Sequence, residues 1–358
     1  MRNRTTALRT GRLCTVPAYL RLVGVVLLAA LSAPVWAQKA VSTQSNGRAA
    51  AAPGPMSPEQ PAEPSPALWG ADGAFAGRNP EDEVVELRGP STKQFQNPDG
   101  TKTAVITLSP VHYRTATGAW QEIQPIIKPN DSGIHAGHPF AVTHHLFQAF
   151  FGASATDGYV VETEALRIEV SGASEIRVEG ADGRVLARYS RSTARARVVD
   201  NRIDYQAAFT EIAADERLTV HCRGLKHEVI IRRPPRIIVA DAQAAKLVFA
   251  EHIRLPLGGC LVETAGGSSS AIEVRDPVGD VAAMIPPTTT YEIGTAELRQ
   301  DIVGATDADL SRPPSETRLR NVDGGYVLEA AIPLEWLLAP DRQYPVVIDP
   351  TINIAEAS

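Results

Sequence analysis

Short β-branched runs, broken by turn signals at intervals of roughly ten residues, constrain this 358-residue chain more than any other feature. Residues 84–87 read as a first short strand. Asn97-Pro98-Asp99-Gly100 reads as a turn, because Gly supplies positive φ and Pro presets its own. Residues 103–108 carry the next strand, and 111–114 with 120–123 flank Thr117-Gly118 as a hairpin. Further strands are predicted at 159–164, 166–170, 175–179, 184–189, 195–199, 203–207 and 217–222. The series continues at 229–231, 237–240, 246–249, 272–275 and 326–331. Residues 140–151 and 209–216 are compatible with helix, but neither stretch has good caps, and the strand background is the stronger signal. This cadence predicts an all-β, β-sandwich-like fold, as one large or two consecutive antiparallel sandwiches. A weak boundary falls near residue 200, giving an N-terminal β domain over 83–200 and a C-terminal β domain over 201–358. No repeat of fixed period is visible, which argues against a propeller or solenoid.

The end of the chain sharpens the expectation. Trp336-Leu337-Leu338 reads as a short helical turn opened by Pro333, since proline at a first helical position sacrifices no hydrogen bond. Tyr344-Pro345 then opens a strand over Val346-Val347-Ile348 that stops at Asp349-Pro350. Strand period puts Tyr344, Val346 and Ile348 on one face and Val347 on the other, with both faces covered.

The first 37 residues read as a secretory signal. Arg2, Arg4, Arg9, Arg12 and Arg21 form a basic stretch, residues 22–33 an apolar run, and Val35-Trp36-Ala37 a cleavage site before Gln38. The run is shorter than the about 20 apolar residues a spanning helix needs, so no stable membrane insertion is expected. The expected address is secreted, periplasmic or cell-envelope. Residues 38–82 read as a disordered Pro- and Ala-rich linker, in which the lone aromatics Trp69 and Phe75 are expected to float. Cleavage leaves 30 basic against 41 acidic residues, a net charge of −11, which disfavours nucleic acid as a partner. Cys222 and Cys260 survive maturation. They either pair as a disulfide or remain two buried thiols, and their spacing does not decide between these.

Chemistry is sparse in the pattern. His135, His138, His144 and His145 are good ligand types for zinc or copper, yet no HExxH accompanies them and adjacent histidines on a strand point to opposite faces. Gly152-Ala153-Ser154-Ala155-Thr156 lacks the last glycine of a nucleophile elbow, and no P-loop lysine follows Gly266-Gly267-Ser268. Asp307 and Asp309 are too few for a calcium cage. Asp349 either caps a turn or serves a metal or catalytic role. Trp120 and Trp336 lie in segments patterned like core, against the alternative of stacking on a sugar ring. No catalytic, cofactor-binding or metal residue is assigned, and no cofactor is expected.

Several strings resemble a family. Tyr344-Pro345-Val346-Val347-Ile348-Asp349-Pro350-Thr351 is similar to the closing segment of the β-rich N-terminal module in large secreted bacterial proteins of the wall-associated and YD-repeat (RHS-like) type. The stretch from Val85-Glu86-Leu87-Arg88 to Gly118-Ala119-Trp120-Gln121-Glu122-Ile123 resembles the opening of that module. Gly224-Leu225-Lys226-His227-Glu228-Val229-Ile230-Ile231 resembles its central Gly-Leu-Lys-Glu motif, with a histidine intruding after the lysine. The resemblance implies a non-enzymatic structural or adhesive module, standing without a YD array and working with a separately encoded YD-repeat or wall-associated partner. A polysaccharide-binding module is the alternative, and a cryptic hydrolase a third.

Overall fold

The computed structural model describes residues 75, 77–239, 242–264, 270–293 and 315–354, all within one compact unit, Glu59–Ser358. Two hairpins come first, β1 (Thr92–Gln96) with β2 (Lys102–Ile106) and β3 (His112–Arg114) with β4 (Trp120–Glu122). One large sheet then begins with β5 (Lys128–Pro129), β6 (Phe140–Val142), β7 (Gln148–Phe151) and β8 (Tyr159–Glu162). It continues with β9 (Arg167–Val170), β10 (Glu175–Glu179) and β11 (Val185–Ser190). The chain next enters a second sheet through β12 (Ala196–Val199), β13 (Arg202–Phe209), β14 (Ala214–His221) and β15 (Gly224–Ile231). It returns to the first for β16 (Lys246–Arg254), which lies between β10 and β22.

The second sheet takes up β17 (Cys260–Glu263), β18 (Ile272–Arg275), β19 (Val281–Ile285) and β20 (Thr289–Glu292). The hairpin β21 (Glu316–Val322) with β22 (Gly325–Pro333) belongs to the first sheet. Gly324 turns that hairpin at φ 82°, a value that suits only glycine. A one-turn helix, α1 (Leu334–Leu337), leads to β23 (Val346–Asp349) and β24 (Ile352–Ile354) in the second sheet. Every strand pair is antiparallel, and the fold is all-β and sandwich-like. Residue 200 falls just after β12, where the chain has passed from the first sheet to the second, and β16 and β22 then carry it back. The main apolar core draws on both sheets, from Phe151, Ile168 and Phe249 on one side to Leu225, Val229 and Ile348 on the other.

Four local expectations are corrected. Residues 84–87 form a 3₁₀ turn over Val85–Leu87 rather than a strand, because the flanking strand partners pair elsewhere. Residues 237–239 are irregular. Pro333 sits one residue ahead of α1, as its N-cap, and at the same time ends β22. Phe75 does not float. It is 1% exposed and packs with Phe95 and Val111, under the ammonium of Lys93 at 4.9 Å from its ring centroid. The ordered fold therefore starts before residue 83. Trp69 and the signal lie outside the described residues.

The C-terminal strand is interior. Val346, Val347 and Ile348 are fully buried, with β15 on one side and β20 on the other. Val346 and Ile348 join the main core, whereas Val347 joins Ile230, Tyr291 and Ile293 on the opposite face. Asp349-Pro350 interrupts the strand without ending it. β23 and β24 lie along the same edge of β15 in one register, Val229 opposite Ile348 and Leu225 opposite Ile352. That register sets Glu228 opposite Asp349, His227 opposite Pro350 and Lys226 opposite Thr351. Pro350 has no N–H to give the ladder, so the pairing lapses for these residues. Just beyond the lapse Gly224 is required: a Cβ there would stand 2.1 Å from the Ile352 carbonyl oxygen.

Candidate functional site

The polar groups of the sandwich concentrate on β15, at the lapse opposite Pro350. Lys226 and Glu228 lie two residues apart on β15, so both point outward while His227 between them points in between the sheets. One strand thus serves two polar clusters.

The inner cluster is closed to solvent. His227 Nε2 is 2.7 Å from Glu216 Oε1 on β14, and its Nδ1 is 3.0 Å from Glu251 Oε1 on β16 of the opposite sheet. The Tyr159 hydroxyl on β8 donates to Glu251 Oε1 at 3.0 Å, and the Arg191 guanidinium reaches Glu216 Oε1 at 2.5 Å and the Ser171 carbonyl at 3.0 Å. The imidazole stands edge-on to Tyr159 and Phe249, at 5.7 and 5.5 Å between centroids. A neutral imidazole has one N–H and one lone pair, yet both ring nitrogens here face carboxylate oxygens. The contact at Nδ1 is an ion pair rather than an aligned hydrogen bond, and a lone pair there would be repelled. His227 is therefore an imidazolium. Burial opposes that charge, but Glu251 and Glu216 outweigh it and push the group up to about 9. Burial likewise opposes the Glu216 charge, and Arg191 and His227 overcome it, holding the carboxyl below its usual range. Two carboxylates, one guanidinium and one imidazolium leave the cluster neutral, the condition under which buried charge is tolerated.

The outer cluster lies on the face of the second sheet turned away from the main core, with Glu228 and Tyr291 buried and Lys226 and Asp349 half-buried. Lys226 Nζ is 2.8 Å from Glu228 Oε1 and 3.7 Å from Asp349 Oδ2, and it donates to the Tyr291 hydroxyl at 3.2 Å. Tyr291 in turn donates to Glu228 Oε1 at 3.1 Å. Thr351 donates its hydroxyl to the other Asp349 oxygen. Burial lifts Asp349 to about 6, only partly offset by Lys226 and Thr351. Burial works against the Lys226 charge, and Glu228 and Asp349 more than restore it, raising the ammonium above its ordinary range.

The residues singled out in sequence disperse. His135 pairs with Glu162 at 2.8 Å and lies over the Phe150 ring at 4.6 Å, and His138 stands edge-on to it at 6.1 Å between centroids. His144 lines a shallow concavity of about 180 Å³ with Gln124, Asp131 and Thr143. His145 turns inward against Phe147, and burial pushes it down to about 3. Among the described residues, no three His, Cys, Asp or Glu side chains are disposed to hold a metal. Ser154 forms a capping box with Asp157 at the start of a 3₁₀ turn. Cys222 sits in the β14–β15 turn and Cys260 opens β17, both half-buried. Trp120 and Trp336 are half-buried rather than core, under Arg114 at 4.6 Å and Arg342 at 4.2 Å. Asp307 and Asp309 lie outside the described residues. Sequence reasoning missed Glu216, Glu251 and Tyr159, whose partner is another strand's residue. The one available signal was His227 at a position that alternates with Leu225, Val229 and Ile231 on one face of the strand.

No protein-family model, curated protein or solved structure matches this chain. Among the described residues, no helix is long and apolar enough to cross a membrane.

Proposed function

We propose that this chain is a secreted, non-catalytic structural or adhesive module of an extracellular or envelope assembly, related to the YD-repeat type. One observation carries the reading. A cluster of five titratable groups, His227, Glu216, Glu251, Arg191 and Tyr159, is sealed between the sheets, and its charges offset one another across the sandwich. Groups so placed hold a fold together, whereas a catalytic acid or base must reach a substrate. The β1–β2 hairpin supports a contact role, because it and the residue pair beyond it present Ile106 and Leu108 at 77% and 99% exposure.

Whole-cell cross-linking followed by fractionation tests the proposal. The mature protein, beginning at Gln38, is expected in the envelope fraction, linked to a larger protein. Recovery as a free monomer that cleaves wall polysaccharide would overturn it, and retention on polysaccharide alone would favour the sugar-binding alternative.

A further inference from the structure

The outer cluster contains a feature that a surface ion pair does not need. A lysine, a half-buried aspartic acid and a buried glutamate meet where the ladder lapses. Lys226 Nζ is 3.7 Å from Asp349 Oδ2, and Glu228, 4% exposed, contacts the same nitrogen at 2.8 Å. The geometry points to an intramolecular amide (isopeptide) bond between Lys226 and Asp349, formed by the folded protein itself with Glu228 as proton acceptor.

The placement suits such a bond. Pro350 leaves no backbone N–H between the two strands at this point, so the side chains approach across the gap. Asp349 is oriented by the Thr351 hydroxyl on one oxygen, and its other oxygen faces the ammonium. Tyr291 is bonded to both Lys226 and Glu228 and fixes their separation. Ile230, Ile293 and Val347 pack beside Tyr291 and limit the water around the group. Held in contact, the two reactants need no diffusional encounter.

The atoms balance without a co-reactant. The Lys226 ammonium passes a proton to Glu228 across the 2.8 Å contact. The freed nitrogen attacks Cγ of the protonated Asp349 carboxyl, and a C–N bond forms. A second nitrogen proton passes to the carboxyl hydroxyl, the C–O bond breaks, and one water leaves. The proton on Glu228 then returns to solvent. Burial supplies the protonated acid, since Asp349 is raised to about 6. The carboxylates beside Lys226 keep free amine scarce, which makes the step slow. A bond made once, with no turnover, tolerates a slow step. The product ties β23 to β15 covalently and fastens the C-terminal strand against pulling.

Intact-mass measurement of the denatured mature chain is the test. The expected result is a mass one water below that of the sequence, with a digest peptide joining Lys226 to Asp349. Lys226→Arg and Glu228→Gln proteins are expected at full mass. Full mass in the unsubstituted protein overturns the inference, as does a water deficit that persists in Lys226→Arg. A linked Glu228→Gln protein would overturn the role given to Glu228. Cooperative unfolding of both variants, read by circular dichroism, keeps a folding failure from imitating a lost bond.

Discussion

The two faces of β15 differ in how alternate residues of one strand handle charge. On the inner face, His227 is fully enclosed, and two carboxylates, from the neighbouring strand and the opposite sheet, are matched by two cations, His227 itself and Arg191. On the outer face, Lys226 meets two carboxylates alone, and one of these, Asp349, is lifted to about 6. A neutral, enclosed cluster is a permanent fastening. A partly enclosed cluster with surplus carboxylate retains a proton it can move. Enclosure and charge balance, rather than residue type, separate the two.

The comparison yields a ranked set of expectations. The largest concerns what both clusters lean on, the C-terminal strands. A chain ending at Asp341 loses Val346, Val347, Ile348 and Ile352, all fully buried, at roughly 1.5–3 kcal/mol each. That sum rivals the whole stability of a typical domain, so no cooperative thermal transition is expected. An unchanged transition would make the strands peripheral. Next comes His227→Gln, which leaves Glu216 and Glu251 short of a cation in the interior. Chemical denaturation should show a loss of about 3–5 kcal/mol.

A matched pair of tyrosines sharpens the contrast further. Tyr159→Phe removes the hydroxyl hydrogen bond from the enclosed Glu251 and should cost about 1–3 kcal/mol, whereas Tyr291→Phe in the outer cluster, where Lys226 still contacts Glu228, should cost about 1 kcal/mol or less. Equal losses would erase the distinction between the faces. The smallest effect is local: limited proteolysis should leave a resistant core that begins near Phe75, and Phe75→Ala should move that boundary toward residue 83 without lowering the main transition.

Much of this architecture is legible in the sequence, for a definite reason. Period-two alternation assigns faces, so the split of Val346 and Ile348 from Val347 is readable from residue order alone, as is the hairpin of β3 with β4. Alternation does not assign partners. Glu216 and Glu251 look like ordinary surface acids in their own strands, and only the stacking of β14 and β16 brings both to His227. In the Lys226-His227-Glu228 string, strand period turns the histidine inward and sets lysine and glutamate on one face. Residues 84–87 fail differently: their composition suits a strand, but the pairing with β1 goes no further than the Val84 N–H to Gln94 carbonyl bond, and Val85–Leu87 close into a 3₁₀ turn. Phe75 shows that a lone aromatic in a proline-rich tail docks when a cation and a second ring await it.

The central claim is that His227 is a charged inter-sheet fastening, and its protonation state tests this most directly. Its folded value, about 9, lies above the ordinary 6.5. Its contribution to stability is therefore complete below 6.5 and is lost as pH rises through about 9. Nitrogen-resolved NMR of the imidazole in the mature protein, at about pH 7.5, should find protons on both ring nitrogens of His227. A ring carrying a single proton there, titrating near the ordinary histidine value, would contradict the account.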